Sequence, residues 1–457
     1  MVSPVAQDLF TLSRDVARAV GALSRWRSEL EADSQVDGHR AEGEDPFDGL
    51  RHVAARSTVQ ALAELSPSGV DVPLRHALMR WVSALVQERI ALEDDAARAR
   101  AMSAPSGRFE GEPPRRVTWR QAWRGLVGAR TAAEVHLWLA AAADCATPLA
   151  VANRARAARR VEVARRLGHK DPWEPLIDVP RGTLRASAQR LLDATEDVSR
   201  AVWKEALGGA DSPGARLCLA VGRDAGEGWP ARLTAAWFDE AFGGGPRGLP
   251  IEMGALPHPT GAASFARALA VFGFAARLAA APSSLPFALA RDPAFVGAHR
   301  LALVFGSLPT DVVFHRKALG LGRRTAVAQS RVLVRTALLD ARLSAARILL
   351  GDEVAFSPKE LFAELGMRLF GKPLDPRLAA AWPAARDDEP ARWVALLEAR
   401  PLRDALREQF DSDWFRNPHA WSHLRGEGSV AAREPVSPDG LESAAGALAR
   451  AFEEALG

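Results

Sequence analysis

The sequence predicts an all-α fold, or nearly so, with at most one short hairpin. Apolar residues recur at helical intervals along almost the whole chain, and extended runs of alternating β-branched residues are scarce. The chain has 457 residues, 48% of them hydrophobic and 25% charged, which suits one large core or a few ordinary ones and excludes disorder as the main state.

The elements follow in order. Leu9, Val16, Val20, Leu23 and Leu30 keep a helical period, as do Leu74, Leu78, Trp81, Val82, Leu85 and Ile90. The run from Val332 to Leu350 continues it at high apolar density, so a deeply buried helix is expected there. Ser357-Pro358-Lys359-Glu360 reads as a capping serine, a first-turn proline and a closing glutamate, and Ser437-Pro438 opens a last helix in the same way. Gly366 and Gly371 are candidate stops. The short stretches Leu217–Val221 and Leu249–Met253 are candidate strands, read either as a small hairpin or as loop. Residues 32–46, 102–114 and 222–248 read as loops or linkers. The division expected is an N-terminal helical region over 1–208, a glycine-rich connecting segment over 209–248 and a C-terminal helical region over 249–457, with both helical regions free to share one core.

Charge does not point to nucleic acid. Lys+Arg 59 against Asp+Glu 56 leaves +3 with the signs interspersed, and no basic block is interleaved with aromatics. The basic stretch Arg154 to Arg166 carries alanine and valine at helical spacing and reads as a solvated helix face. No membrane partner is expected either, since the apolar run Leu137 to Val151 is interrupted by Asp144 and is shorter than a bilayer span. The first residues lack a basic region followed by an apolar run, as a signal peptide would have. Cys145 and Cys218 are the only cysteines, too few for a disulfide framework. Buried free thiols and a cytoplasmic location are the expectation.

Metal chemistry would show in the ten histidines. None begins an H-E-x-x-H motif, which sets two imidazoles one turn apart with a glutamate base between them. His419 and His423 have the i, i+4 spacing, with Asp413 or Glu427 as a third-ligand candidate, but residue 420 is alanine, so the base is missing. No serine sits in a G-x-S-x-G elbow, and Gly243-Gly-Gly-Pro-Arg-Gly248 lacks the lysine and hydroxyl residue of a phosphate loop. Asp292, Asp311 and Glu252 are isolated carboxylates.

The stretch Ser264-Phe-Ala-Arg-Ala-Leu-Ala-Val-Phe-Gly-Phe-Ala-Ala-Arg277 resembles the active-site helix of the oligoendopeptidase F/thimet oligopeptidase family of helical zinc peptidases, which carries F-x-x-x-L-H-E-x-G-H-A there. The resemblance places Ala270 at the first histidine, Val271 at the catalytic glutamate and Phe274 at the second histidine, with Phe272 and Gly273 on the intervening pair. The family's third ligand, a glutamate a little under thirty residues on, falls in Phe295-Val-Gly-Ala-His-Arg-Leu-Ala-Leu-Val-Phe305, where His299 lies closest. Diffuse similarity in Arg166–Trp173, Phe314–Leu350 and Asp413–Pro418 extends it over about the last two-thirds of the chain.

The resemblance therefore implies a multi-helix peptidase-like scaffold whose zinc motif is lost and which needs no cofactor. A methyl, an isopropyl and a benzyl group stand where ligands and base would be. The family's transition-state tyrosine has no counterpart, because the chain contains no tyrosine. Phe265, Leu269, Phe272 and Ala276 make one apolar face and Val271, Phe274 and Leu278 another, so a helix buried on both sides is expected. A cleft is expected where this helix faces the Phe295–Leu308 segment, with His258 and His315 as candidate lining. Trp382, Trp414 and Trp421 are candidate exposed anchors. The function this implies is a catalytically inactive pseudopeptidase that binds a peptide or protein, one form of which is a hetero-oligomer with an active paralogue. Two alternatives stay open: a metal-dependent hydrolase relocated to His419 and His423, and a helical scaffold without peptidase ancestry.

Overall fold

A computed structural model describes residues 9–33, 45–65, 71–129, 131–177, 179–207, 228–259, 262–351, 359–371, 373–379, 381, 388–427 and 438–457. Among these residues the chain forms 18 α-helices and one two-stranded hairpin, as the periodicity predicts. The N-terminal half contains α1 (Leu9–Asp33), α2 (Arg56–Glu64), α3 (Asp71–Ser103), α4 (Trp119–Gly128), α5 (Ala132–Arg166), α6 (Glu174–Ile177), α7 (Arg181–Ala194) and α8 (Glu196–Leu207). There follow α9 (Ala235–Ala241), α10 (Ala262–Ala279), α11 (Phe287–Ala290), α12 (Val296–Gly306), α13 (Val312–Lys317) and α14 (Arg323–Leu350). The chain ends with α15 (Lys359–Phe370), α16 (Glu389–Phe410), α17 (Pro418–Glu427) and α18 (Pro438–Leu456).

The hairpin exists but lies elsewhere than the sequence suggested. Strands β1 (Gly107–Phe109) and β2 (Arg115–Val117) pair antiparallel, the first inside the stretch 102–114 read as a linker and the second just beyond it. Gly107 is required there, because a Cβ would sit 2.5 Å from both the Ala141 carbonyl and the Cys145 sulfur. Leu249–Met253 forms no strand, and Leu217–Val221 lies outside the described residues. The hairpin is stabilised by packing on α5 rather than by its own β-propensity, which is why no alternating pattern announced it. Capping is explicit where the helices start: Thr118 and Thr131 each accept from the third helical N–H, while Gln121 and Glu134 return the bond. The cap positions Ser357, Pro358 and Ser437 lie outside the described residues. Gly371, at φ 64°, follows α15 as a stop, whereas Gly366 is buried inside that helix.

Three apolar clusters hold the fold. The first draws on α4, α5, α7 and α8 and also on α14, α15, α16 and α18, from both sides of residues 208–248. The second gathers α9, α10, α12, α13, α16 and α17. The third joins α1, α2 and α3 with Ala288 of α11. The apolar run Leu137–Val151 belongs to α5, whose residues Ala133–Arg166 are long and apolar enough by composition to cross a membrane. Half of its most apolar window is buried within the protein, and Ala141, Ala142, Ala143, Cys145 and Ala146 are fully enclosed in the first cluster. The helix is longer than the apolar run Leu137–Val151, and its packing into the first cluster marks it as a core element.

A buried arginine ties the two halves together. Arg342 of α14, fully buried, donates to the Leu192 carbonyl at 2.9 Å, Thr195 Oγ1 at 2.7 Å, Glu196 Oε2 at 3.0 Å and the Arg368 carbonyl at 2.7 Å. Burial pushes its pKa down and Glu196 holds it up. The guanidinium thus satisfies carbonyls at the ends of both α7 and α15.

Candidate functional site

Helices α10 and α12 pack antiparallel at close range. Contacts descend along one helix as they ascend along the other: Gly306 against Ala266 and Ala270, Gly273 against Leu301, Phe274 against His299, and Gly297 near Arg277. A Cβ on Gly273 would sit 2.6 Å from the Leu301 carbonyl oxygen, so only glycine admits α12 at this distance. The cleft expected between these two helices is therefore closed. Absent side chains at Gly273 and Gly306 let the backbones meet.

One face of α10 is fully buried. Phe265, Leu269 and Phe272 have no exposure and Ala276 has 3%. Phe272 stacks on Phe238 of α9, with centroids 4.2 Å apart. The other face corrects the expectation of a helix covered on both sides. Val271 is 40% exposed, Phe274 and Leu278 are half-buried, and Arg267 one turn ahead is exposed. Phe295 and His299 flank this line at Phe274, and it is more open than the opposite face, which α9 covers.

The structure brings Phe274 and His299 together, with ring centroids 5.1 Å apart. Ala270 lies one turn away, against Gly306. His299 has 14% of its side chain exposed, and its Nε2 lies 3.8 Å from Asp388 Oδ2. Phe295, at the start of α12, extends the aromatic line. It stands 6.0 Å from Phe274 and 5.8 Å from Trp81, which in turn donates to the Arg291 carbonyl at 2.8 Å. Its φ of 53° is unusual for a bulky residue. Asp292 supports this turn, its Oδ1 accepting from the N–H groups of Ala294 and Val296 at 3.1 Å each. The pair Asp292-Pro293 favours a turn here, but neither glycine nor asparagine marks the left-handed position itself.

The donor set does not fit the zinc ion that the resemblance implies. Ala270, Val271 and Phe274 offer no lone pair, and only His299 carries one. Among the described residues no group of three or more His, Cys, Asp or Glu side chains converges to hold a metal. His419 and His423 lie exposed on α17, and the His423 ring packs 5.7 Å from Phe410. No third ligand joins them among the described residues.

The other candidates separate. His258 is exposed on the segment before α10. His315 is fully buried and cannot line an open surface. Its ring lies 5.9 Å from Trp229, and its Nε2 donates to the Pro309 carbonyl at 2.6 Å, while Nδ1 is buried with no hydrogen-bond partner among the described residues. Burial pushes its pKa down. Trp414 and Trp421, expected as exposed anchors, are core residues at 1% and 3% exposure. Trp382 lies outside the described residues. The glycine run after α9 has a packing cause: a Cβ on Gly245 would sit 2.0 Å from the Trp421 ring, and one on Gly243 2.6 Å from the Arg416 carbonyl. Arg425 donates to the carbonyls of Gly245 and Arg247. This loop covers an indole, and its N–H groups are already taken: Gly244 donates to the Asp239 carbonyl at 2.9 Å, Gly245 to the Phe242 carbonyl at 3.1 Å and Arg247 to the Gly244 carbonyl at 3.0 Å.

No family model matches the chain, and no curated protein sequence matches it. Among solved structures the chain is similar to a Pz peptidase A determined with an inhibitor, at a TM-score of 0.55 and 10% identity, over 94% of this chain and 87% of that one. At this identity the likeness shows the fold alone: the described chain is almost entirely helical and shares its overall fold with that protein.

Proposed function

We propose that the protein is a catalytically inactive pseudopeptidase that acts by binding a peptide or a protein. A likeness to a peptidase fold spanning 94% of the chain supports the scaffold part of this reading. The observation that carries the rest is chemical. Where the resembling family would hold zinc and its base, Ala270, Val271 and Phe274 provide hydrocarbon, and His299 is the one remaining donor. One imidazole neither retains a divalent cation nor lowers the pKa of its water. The half-open apolar line along α10 supports binding, since partly exposed aromatic and aliphatic side chains on a rigid helix are suited to a partner's apolar groups. An active paralogue is one partner this reading allows, and the cytoplasm is the compartment it implies, consistent with the buried free thiol of Cys145.

The test is hydrolysis of a quenched fluorogenic peptide by the purified protein, with and without added Zn²⁺ and with a chelator, alongside elemental analysis. No turnover in any arm and no stoichiometric metal are expected. Hydrolysis that the chelator abolishes would refute the proposal.

A further inference from the structure

Arg267, Val271, Phe274 and Leu278 recur at i, i+4, i+7 and i+11 and so form one line along α10. The line is about 16 Å long at the rise of an α-helix. Its middle is apolar and partly open, and none of its four residues is a carboxylate. Each end carries a guanidinium. Arg267 is exposed and makes no ion pair among the described residues. At the other end Arg291 reaches the Leu278 carbonyl with one NH₂ group, 3.3 Å away, and lies 5.0 Å from the centre of the Phe287 ring. Asp292 Oδ1 holds the turn before α12, and Asp388 lies beside His299 and Arg392.

From this arrangement we infer that the ligand of the α10 face is a peptide segment with one or two large apolar side chains flanked by carboxylates. The apolar groups would lie on Val271, Phe274 and Leu278, and the carboxylates would meet Arg267 and Arg291. The inference rests on the peptide- or protein-binding reading above and adds its specificity. Apolar burial supplies affinity at about 25 cal/mol per Å². The arginines supply selection, because a guanidinium pairs with a carboxylate and repels an ammonium group.

The test uses the full chain and two fluorescein-labelled dodecapeptides, one centred on Asp-Leu-Phe-Leu-Asp and one with lysine in place of both aspartates, followed by anisotropy at low salt. The acidic peptide is expected to bind about tenfold more tightly, and Arg267→Glu to remove that preference. Val271→Glu is expected to weaken both peptides. Residues 267 and 271 are exposed, so both variants should fold, as a circular-dichroism melt would verify. If neither peptide binds, peptide recognition by this face falls and the specificity with it. If both bind alike and Arg267→Glu changes nothing, binding stands and the acidic specificity is wrong. A preference that survives both substitutions places the ligand elsewhere and overturns the inference.

Discussion

The ring of Phe274 meets the imidazole of His299 edge-on, with centroids 5.1 Å apart and planes inclined at 63°. Positions 270 and 274 share a side of α10, and α12 presents position 299 to the second of them. The pseudopeptidase reading takes these three positions as the places of lost ligands, two of them now hydrocarbon. The double variant Ala270→His, Phe274→His would set three imidazoles there. We expect it to gain thermal stability on addition of Zn²⁺, by about 2.7 kcal/mol at a hundredfold excess over Kd. The parent protein should show no such shift. A variant that folds and ignores zinc would mean that these positions do not converge as stated.

Gly273 is predicted to be intolerant of even a methyl group. In Gly273→Ala the new Cβ would meet the Leu301 carbonyl at 2.6 Å and Phe305 Cδ2 at 2.9 Å. Separating α10 from α12 should cost about 1–3 kcal/mol in denaturant unfolding. Val271→Ala, on the open side of the same helix, should stay within about 0.5 kcal/mol. Equal effects would show that the helices are not in close contact.

Arg342 is predicted to be among the most sensitive positions of the chain. Arg342→Met keeps much of the volume but strands the carbonyls of Leu192 and Arg368 in the interior, at a cost of about 3 kcal/mol or more. The exposed Arg166, paired with Glu162 on α5, should lose less than about 1 kcal/mol as Arg166→Ala. Urea unfolding of the two variants side by side checks the contrast.

His315 sets a pH dependence. Burial holds its imidazole neutral in the folded state, below its ordinary pKa. The unfolded chain takes up the proton as pH falls through about 6.5, while the folded chain does not. The unfolded state then binds more protons, so stability is full above that pH and falls below it, by up to about 1.4 kcal/mol per pH unit. His315→Gln keeps a donor for the Pro309 carbonyl and cannot be charged. Its melting temperature should fall less than the parent's between pH 7.5 and 5.5. Identical slopes would assign the acid sensitivity to other groups.

Much of the helical framework was legible in the sequence. The deep burial of α14 follows from the apolar density of Val332–Leu350, and the end of α15 follows from Gly371. These are local properties, fixed within a turn or two. The hairpin was not legible, because Gly107–Val117 is held by the packing of α5 and the nearby Cys145 rather than by an alternating pattern. The tryptophans misled for a similar reason. Trp414 and Trp421 stand beside loop signals, yet the loop around Gly245 folds back over the Trp421 indole and encloses it.

The sequence by itself determined the chemistry: no amount of folding gives Ala270, Val271 or Phe274 a lone pair. Only the tertiary structure decided the geometry around them. It closed the α10–α12 contact through Gly273 and Gly306, buried His315 while leaving His258, His419 and His423 exposed, and left one side of α10 open between Arg267 and Leu278. Donor identity belongs to each residue alone, whereas exposure depends on what distant segments of the chain bring alongside it.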